Sequence, residues 1–380
     1  MTAVITGCEV LTCFGDRRQT FAALLAGRCG AAPLRHLDGA RLGVTHGYQV
    51  PDGDDEELPR RPSRWLARCT AAAVHASGLD TSGRRISAMV GTGLRQVREL
   101  ERWDLGDEPP HPSDLHFARA VRSALPQVTD IVTLANACAA SGHALALACD
   151  LLAVEEADAV LVAGCDGLAA SMLALTGRTA TAPAERIRPF DRDRRGVLLG
   201  EGAVAVVLEP EAAVAAEGRT TLGRVRGVGL SCDAHHETAP DPAGITRAVR
   251  DAHRRAGITP EDVDLVIAHG TGTPLNDPTE ATVLRQIFGP GTTAGPLLTA
   301  VKGAIGHTSG SAVLHSVAVA LDIFRTGRVP AVTGLDRPID ELRGVQPVIG
   351  GATTAVVHRV QVNGFGLGGV NAVGVLEAMP

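Results

Sequence analysis

Short runs rich in aliphatic and β-branched residues recur along the chain, separated by longer stretches whose apolar positions fall at helical spacing. Strands are expected at 3–11, 87–93, 130–136, 158–164 and 203–209, then at 223–231, 264–270, 296–303, 356–366 and 371–377. Helices are expected over 63–77, 114–124, 140–156, 242–256, 276–288 and 310–325. Alternation of this kind predicts a layered α/β architecture, with helices packed on sheets. The two halves carry a similar cadence of strands, although their sequences are not alike enough to establish a repeat. Two stretches rich in proline and charge, 106–114 and 179–196, read as loops.

At 380 residues the chain can bury a sizeable core, as two domains or one large layered unit. Only 3% of the residues are aromatic, so that core must be built from Ala, Val, Leu and Gly, which favours close approach of helices to sheets. The net charge of −6 and the lack of a basic run argue against nucleic-acid binding. No apolar stretch approaches the roughly 18 residues of a membrane span, and the N-terminus reads as a strand instead of a signal peptide. The eight cysteines form no CxxC pair, which fits reduced thiols in a cytoplasmic protein.

Three stretches carry candidate chemistry. In "TLANACAASGHALALA" (133–148), Cys138 lies between a strand and an alanine-rich helix. Taken alone, that position is either a small apolar core residue or a nucleophile whose thiolate the helix N-terminus favours. The small residues after it leave room for a substrate and free backbone N–H groups for an oxyanion. "AHGTGTPLNDPTEA" (268–281) sets His269 after a strand, with Thr271 and Thr273 beside it. "VKGAIGHTSGSA" (301–312) has Lys302 closing a strand and His307 in a glycine turn before a helix. Residues that follow strands gather at one end of a shared sheet, where α/β proteins bind ligands. The adjacent histidines of "DAHHE" (233–237) point apart and have no third ligand, so no metal is expected. "GTGLRQ" (91–96) lacks the spacing of a dinucleotide loop.

Together "NACAASGH", "HGTGTP" and "VKGAIGH" resemble the Cys-His-His signature of the β-ketoacyl-ACP synthases, the condensing enzymes of fatty-acid and polyketide assembly. "NGFGLGGVNAVGVLE" (363–377) is similar to their glycine-rich closing loop, and further landmarks follow in the same order from residue 3 to about 377. The resemblance implies a thiolase fold, five layers (α-β-α-β-α) built from two pseudo-repeated halves, 1–210 with the nucleophile and 211–380 with both histidines. It implies that Cys138 accepts an acyl group from an acyl-carrier-protein thioester. His269 and His307 would hold the enolate formed as a malonyl extender loses carbon dioxide. Two histidines mark elongating members. The resemblance further implies an oxyanion hole from the N–H groups of Cys138 and Phe365, with Phe365 also gating the acyl pocket. It pairs Lys302 with Glu280 as a buried ion pair orienting the second histidine loop, and gives Thr271 and Thr273 the phosphopantetheine arm. No cofactor beyond that arm is implied. The partners would be a separate acyl carrier protein and a second subunit, identical or of the related chain-length-factor kind.

The segment 104–130 is shorter than in that family, and Asn136, Val313 and Val370 stand where other residues are usual. Docking of an acidic carrier would need a local basic patch, for which Arg64 and Arg68 on one helix face and Arg192, Arg194 and Arg195 in a loop are the candidates. The ordinary reading of such residues is solvated surface arginines. Two rival readings remain at this level. One is an acyltransferase that passes its acyl group to an amine or alcohol, the other a silent partner subunit, which typically lacks the cysteine.

Overall fold

The computed structural model describes residues 2–52, 58–179, 183–289 and 295–379. Every expected strand forms. The first half supplies β1 (Ala3–Thr12), β2 (Ile86–Gly91), β3 (Val128–Leu134), β4 (Ala159–Asp166) and β5 (Gly202–Pro210). The second supplies β6 (Gly223–Cys232), β7 (Leu265–Ile267), β8 (Leu297–Thr299), β9 (Arg359–Gly366) and β10 (Val370–Glu377). Spatial order is β1-β5-β4-β2-β3 in one half and β6-β10-β9-β7-β8 in the other, so the two halves are wired alike. In each, the second strand is parallel to the third and fourth, and the fifth runs antiparallel between the fourth and the first. The sheets join edge to edge where Ala3, Val4 and Ile5 pair with Val225, Arg224 and Gly223.

Six of the helices make up the layers on these sheets. α1 (Arg61–Ser77) and α2 (Ala118–Ala124) lie outside the first sheet; α4 (Pro242–Ala256) and α5 (Asn276–Phe288) lie outside the second. Between the sheets sit α3 (Ala140–Ala153) and α6 (Ala312–Thr326), each packed against both. That gives the five layers. A helix enclosed by two sheets must be apolar on most sides, and α6 is buried at every position from Ala312 to Ile323. The same enclosure explains why β4 and β5 read as continuous apolar runs: both of their faces are covered.

Each central helix begins the same way. A 3-10 turn, Ala137–Ala139 before α3 and Ser309–Ser311 before α6, opens on a non-glycine residue with left-handed backbone: Ala137 at φ 55° and Ser309 at φ 46°. Such conformations cost energy and persist where the surroundings enforce them. These two turns meet beneath the site. A Cβ on Gly91, at the end of β2, would lie 2.4 Å from the Ser141 nitrogen.

Some boundaries differ from expectation. The run 296–303 is a strand only to Thr299, and Lys302 begins a helical turn, Lys302–Ile305, instead of closing the strand. Short apolar runs do not separate the two states by periodicity. The helices at 114–124 and 310–325 start later, at Ala118 and Ala312, each preceded by 3-10 structure. Helix 140–156 stops at Ala153. The helices Arg17–Leu25, Val97–Asp104, Ala170–Thr179 and Glu211–Ala216 were not expected, although Asp16 and Gln19 form a capping box at the first. Within the expected loop 179–196, residues 180–182 lie outside the described residues.

Gly91→Ala should push the start of α3 away from β2, at a cost of about 1–3 kcal/mol. A thermal or denaturant midpoint unchanged from wild type would contradict this contact.

Candidate active site

The turn before α3 places Cys138 at the floor of a cavity of about 520 Å³. His269, from the loop after β7, and His307, from the loop before α6, line the same cavity with Thr271, Thr273 and Phe365. The two imidazoles stand edge to face with ring centroids 5.4 Å apart, and Phe365 lies 5.5 Å from His269. The two halves of the chain thus converge on one space. Its other walls are largely apolar, with Met172, Leu175, Leu199 and Leu275 among them.

Burial sets the charge of each group. It pushes the Cys138 thiol above its ordinary value, against the opposing pull of Lys302 and the Leu367 backbone N–H. The thiolate expected from the helix N-terminus is therefore not the resting form, because desolvation outweighs the stabilising contacts. Burial also holds both histidines well below the ordinary imidazole range, helped by Lys302 and, for His269, by His307. Both are neutral near pH 7.

Their tautomers follow from their neighbours. Lys302 Nζ lies 3.2 Å from His269 Nδ1 and donates to the His269 carbonyl at 2.5 Å. A charged ammonium has only donors, so Nδ1 accepts and the ring proton resides on Nε2. His307 Nδ1 is buried without a hydrogen-bond partner. A proton there would be an orphaned donor, which places it on Nε2 as well.

The expected Lys302–Glu280 ion pair does not form. Instead, each holds the His269 loop from its own side. Glu280 accepts from the backbone N–H groups of His269 (2.8 Å) and Gly270 (2.9 Å) and from Asn363 Nδ2 (2.9 Å). A carboxylate facing two successive N–H groups is already engaged, and the ammonium is left to the imidazole. Burial lowers the Lys302 pKa to about 8, with Glu280 opposing the shift.

Thr271 and Thr273 line the cavity with their hydroxyl oxygens 2.9 Å apart. Asp277 fixes their loop, accepting from the Gly272 N–H and from the Phe190 N–H across the fold. The three-arginine loop divides: Arg192 pairs with Asp340, Arg194 donates to the Thr273 carbonyl, and exposed Arg195 lines the cavity. Arg64 and Arg68 are both exposed on α1. His143 is half-buried, with Nδ1 3.1 Å from the Ala139 carbonyl. No group of three metal-ligating side chains occurs among the described residues.

Sequence reasoning missed Asp166. Its buried carboxylate, raised to about 6 by desolvation, accepts from Thr92 Oγ1 and from the N–H groups of Gly93, Leu94 and Gly310. It thereby ties the loop after β2 to the turn after His307. Asn363 and the Leu367 N–H were also missed. A buried acidic residue ending an apolar strand was the available signal for Asp166.

Comparison with known proteins gives a consistent picture. Residues 2–213 match the family profile described as "Beta-ketoacyl synthase, N-terminal domain", and 222–336 that described as "Beta-ketoacyl synthase, C-terminal domain". The chain is 29% identical to the 3-oxoacyl-[acyl-carrier-protein] synthase 2 of Coxiella burnetii, covering 98% of both. It is 31% identical to Nodulation protein E of Rhizobium meliloti (strain 1021), covering 97% of both. Among solved structures, "The ishigamide ketosynthase/chain length factor" is similar with a TM-score of 0.90 and 29% identity, over 100% of this chain and 99% of that one.

Lys302 should lose its proton near pH 8, while His269 and His307 stay neutral from pH 6 to 8. Nitrogen-15 NMR of selectively labelled protein reads both. An imidazolium signal from either ring at pH 6 would contradict the assignment.

Proposed function

The chain belongs to the β-ketoacyl synthase family, and we propose that it carries out decarboxylative condensation through Cys138, His269 and His307. The observation that supports this most directly is the convergence of one thiol and two neutral imidazoles on a single apolar cavity.

In the first step Cys138 attacks the thioester carbonyl of an acyl group on a carrier protein. The Cys138 sulfur–carbon bond forms, the carrier's carbon–sulfur bond breaks, and the thiol proton leaves with the carrier's thiol. The N–H groups of Cys138 and Phe365 serve as oxyanion donors, and the Leu367 N–H eases ionisation of the sulfur. In the second step a malonyl thioester enters, its arm along Thr271 and Thr273. Its carbon–carbon bond to the carboxylate breaks, releasing carbon dioxide and leaving an enolate on the thioester oxygen. The Nε2–H groups of His269 and His307 stabilise that oxygen. The enolate carbon then attacks the acyl-enzyme, releasing the β-ketoacyl thioester and returning the sulfur to its thiol by taking up one proton.

Division of the chain at about residue 210 assigns the nucleophile to one half and the enolate donors to the other. The carriers dock where Arg64, Arg68 and Arg195 face outward, and a second subunit completes the enzyme. No helix among the described residues is long and apolar enough to cross a membrane, in keeping with a cytoplasmic setting. Retention of Cys138 disfavours a silent subunit. The chemistry needs no cofactor beyond the carrier's phosphopantetheine.

Incubation with acyl-carrier thioesters should add one acyl group to the wild type and none to Cys138→Ala, read by intact mass. Malonyl-carrier should discharge the adduct with carbon dioxide release. Discharge only to an amine or alcohol would favour the acyltransferase reading instead. His269→Ala or His307→Ala should leave the adduct but cut decarboxylation by about 100-fold or more.

Arg64→Glu with Arg68→Glu should weaken acyl transfer from the carrier about tenfold while sparing a small thioester mimic. Equal loss with both substrates would remove this docking site.

A further inference from the structure

A continuous row of buried polar side chains leads from α4 to the His269 loop. His253 Nε2, in the last turn of α4, lies 2.8 Å from Gln361 Oε1. Gln361 Nε2 donates to Asn363 Oδ1 at 2.8 Å, and Asn363 Nδ2 donates to Glu280 Oε1 at 2.9 Å. Glu280 in turn accepts the His269 and Gly270 N–H groups. All four side chains are buried, His253 being the most exposed at 6%.

The row has a direction. Because the carboxylate can only accept, Asn363 must present its amide nitrogen there and its oxygen to Gln361. Gln361 then presents its own oxygen to His253, whose Nε2 must carry the proton. Every dipole points the same way, toward the Glu280 charge, and hydrogen bonds in such a chain polarise one another. The geometry follows from the strand. Gln361, Asn363 and Phe365 alternate onto one face of β9, and the last of them packs against His269. An apolar pair at 253 and 361 would fill a strand–helix contact at no desolvation cost, so the polar pair calls for a role beyond packing.

We propose that His253 and Gln361 are positioning residues for condensation, holding the Glu280 carboxylate, and through it the backbone of His269, in the geometry that aims the imidazole at the enolate oxygen. This rests on the condensing reading above. Cys138 acylation does not use His269, so the two half-reactions respond differently to a break in the row.

Gln361→Leu, His253→Leu, the pair of both and His253→Gln test it, each assayed for Cys138 acylation by intact mass and for carbon dioxide release from malonyl-carrier. The two single leucine variants and the double should keep acylation within about twofold and lose decarboxylation about tenfold, the scale of a small misplacement. His253→Gln, whose amide still donates to Gln361, should recover most of the rate. The double variant is the structural control, since it restores apolar packing and should regain thermal stability without regaining decarboxylation. Recovery of decarboxylation in the double variant, or parallel loss of both half-reactions in every variant, would overturn the proposal. A wild type that acylates Cys138 yet releases no carbon dioxide would overturn the condensing reading itself, and is read from the wild-type sample alone.

Discussion

The buried ammonium of Lys302 governs the site. It has no carboxylate at ion-pair distance, and its hydrogen-bonding partners are the ring and carbonyl of His269. An unpaired buried cation is costly, and the cost appears as a pKa lowered to about 8. What is gained is control of another residue. The ammonium fixes the His269 tautomer, repels a proton from either imidazole and draws the Cys138 sulfur toward its ionised form. Glu280 supplies the balancing negative charge at one remove, through the backbone of the loop between them.

That arrangement depends on bringing the two halves to a fixed register. The sheets share only a short edge, at Ala3–Ile5, so the alignment near the site comes from the central layer. Gly91 lets the start of α3 lie against β2, and Asp166 reaches from β4 to the turn before α6. A single carboxylate thus links both halves, close enough to the cysteine for its charge to act on the thiol. The left-handed backbone at Ala137 and at Ser309 is held in the same place, which is where enforced strain is expected.

Much of this was legible in the sequence. The strands show because each carries a short aliphatic and β-branched run, continuous in doubly covered strands such as β4 and β5. The three site motifs show because histidine and cysteine beside small residues are conspicuous after apolar runs. What stayed hidden depends on distant partners. Lys302 and Glu280 are 22 positions apart, and nothing in either motif says that each binds the loop in preference to the other. Asp166 looks like the polar end of a strand until Gly310 is seen to come from the other half. His253 and Gln361 lie in a helix and a strand whose patterns already account for them, so their contact is invisible without the fold. The direction of the Cys138 shift was misread because a helix N-terminus is a local feature, while desolvation is set by the whole cavity.

The charges left in the cavity suit the proposed reaction. Malonyl would carry a compact carboxylate into a cavity that Arg195 lines but whose walls are largely apolar, with Met172, Leu175, Leu199 and Leu275 among them, so that a localised charge is poorly solvated there. Two neutral imidazoles offer it N–H groups but no formal cation. When the carbon–carbon bond breaks, the charge moves off the departing carbon dioxide and spreads over the enolate, whose oxygen those same N–H groups can meet. A protonated histidine would bind the starting carboxylate tightly and gain little as the charge moves away. Neutral donors fixed in advance favour the transition state over the ground state, which is the condition for acceleration. Keeping both rings neutral is therefore part of the proposed chemistry, and the fold achieves it chiefly by burying them, with the positive charge of Lys302 adding to the effect.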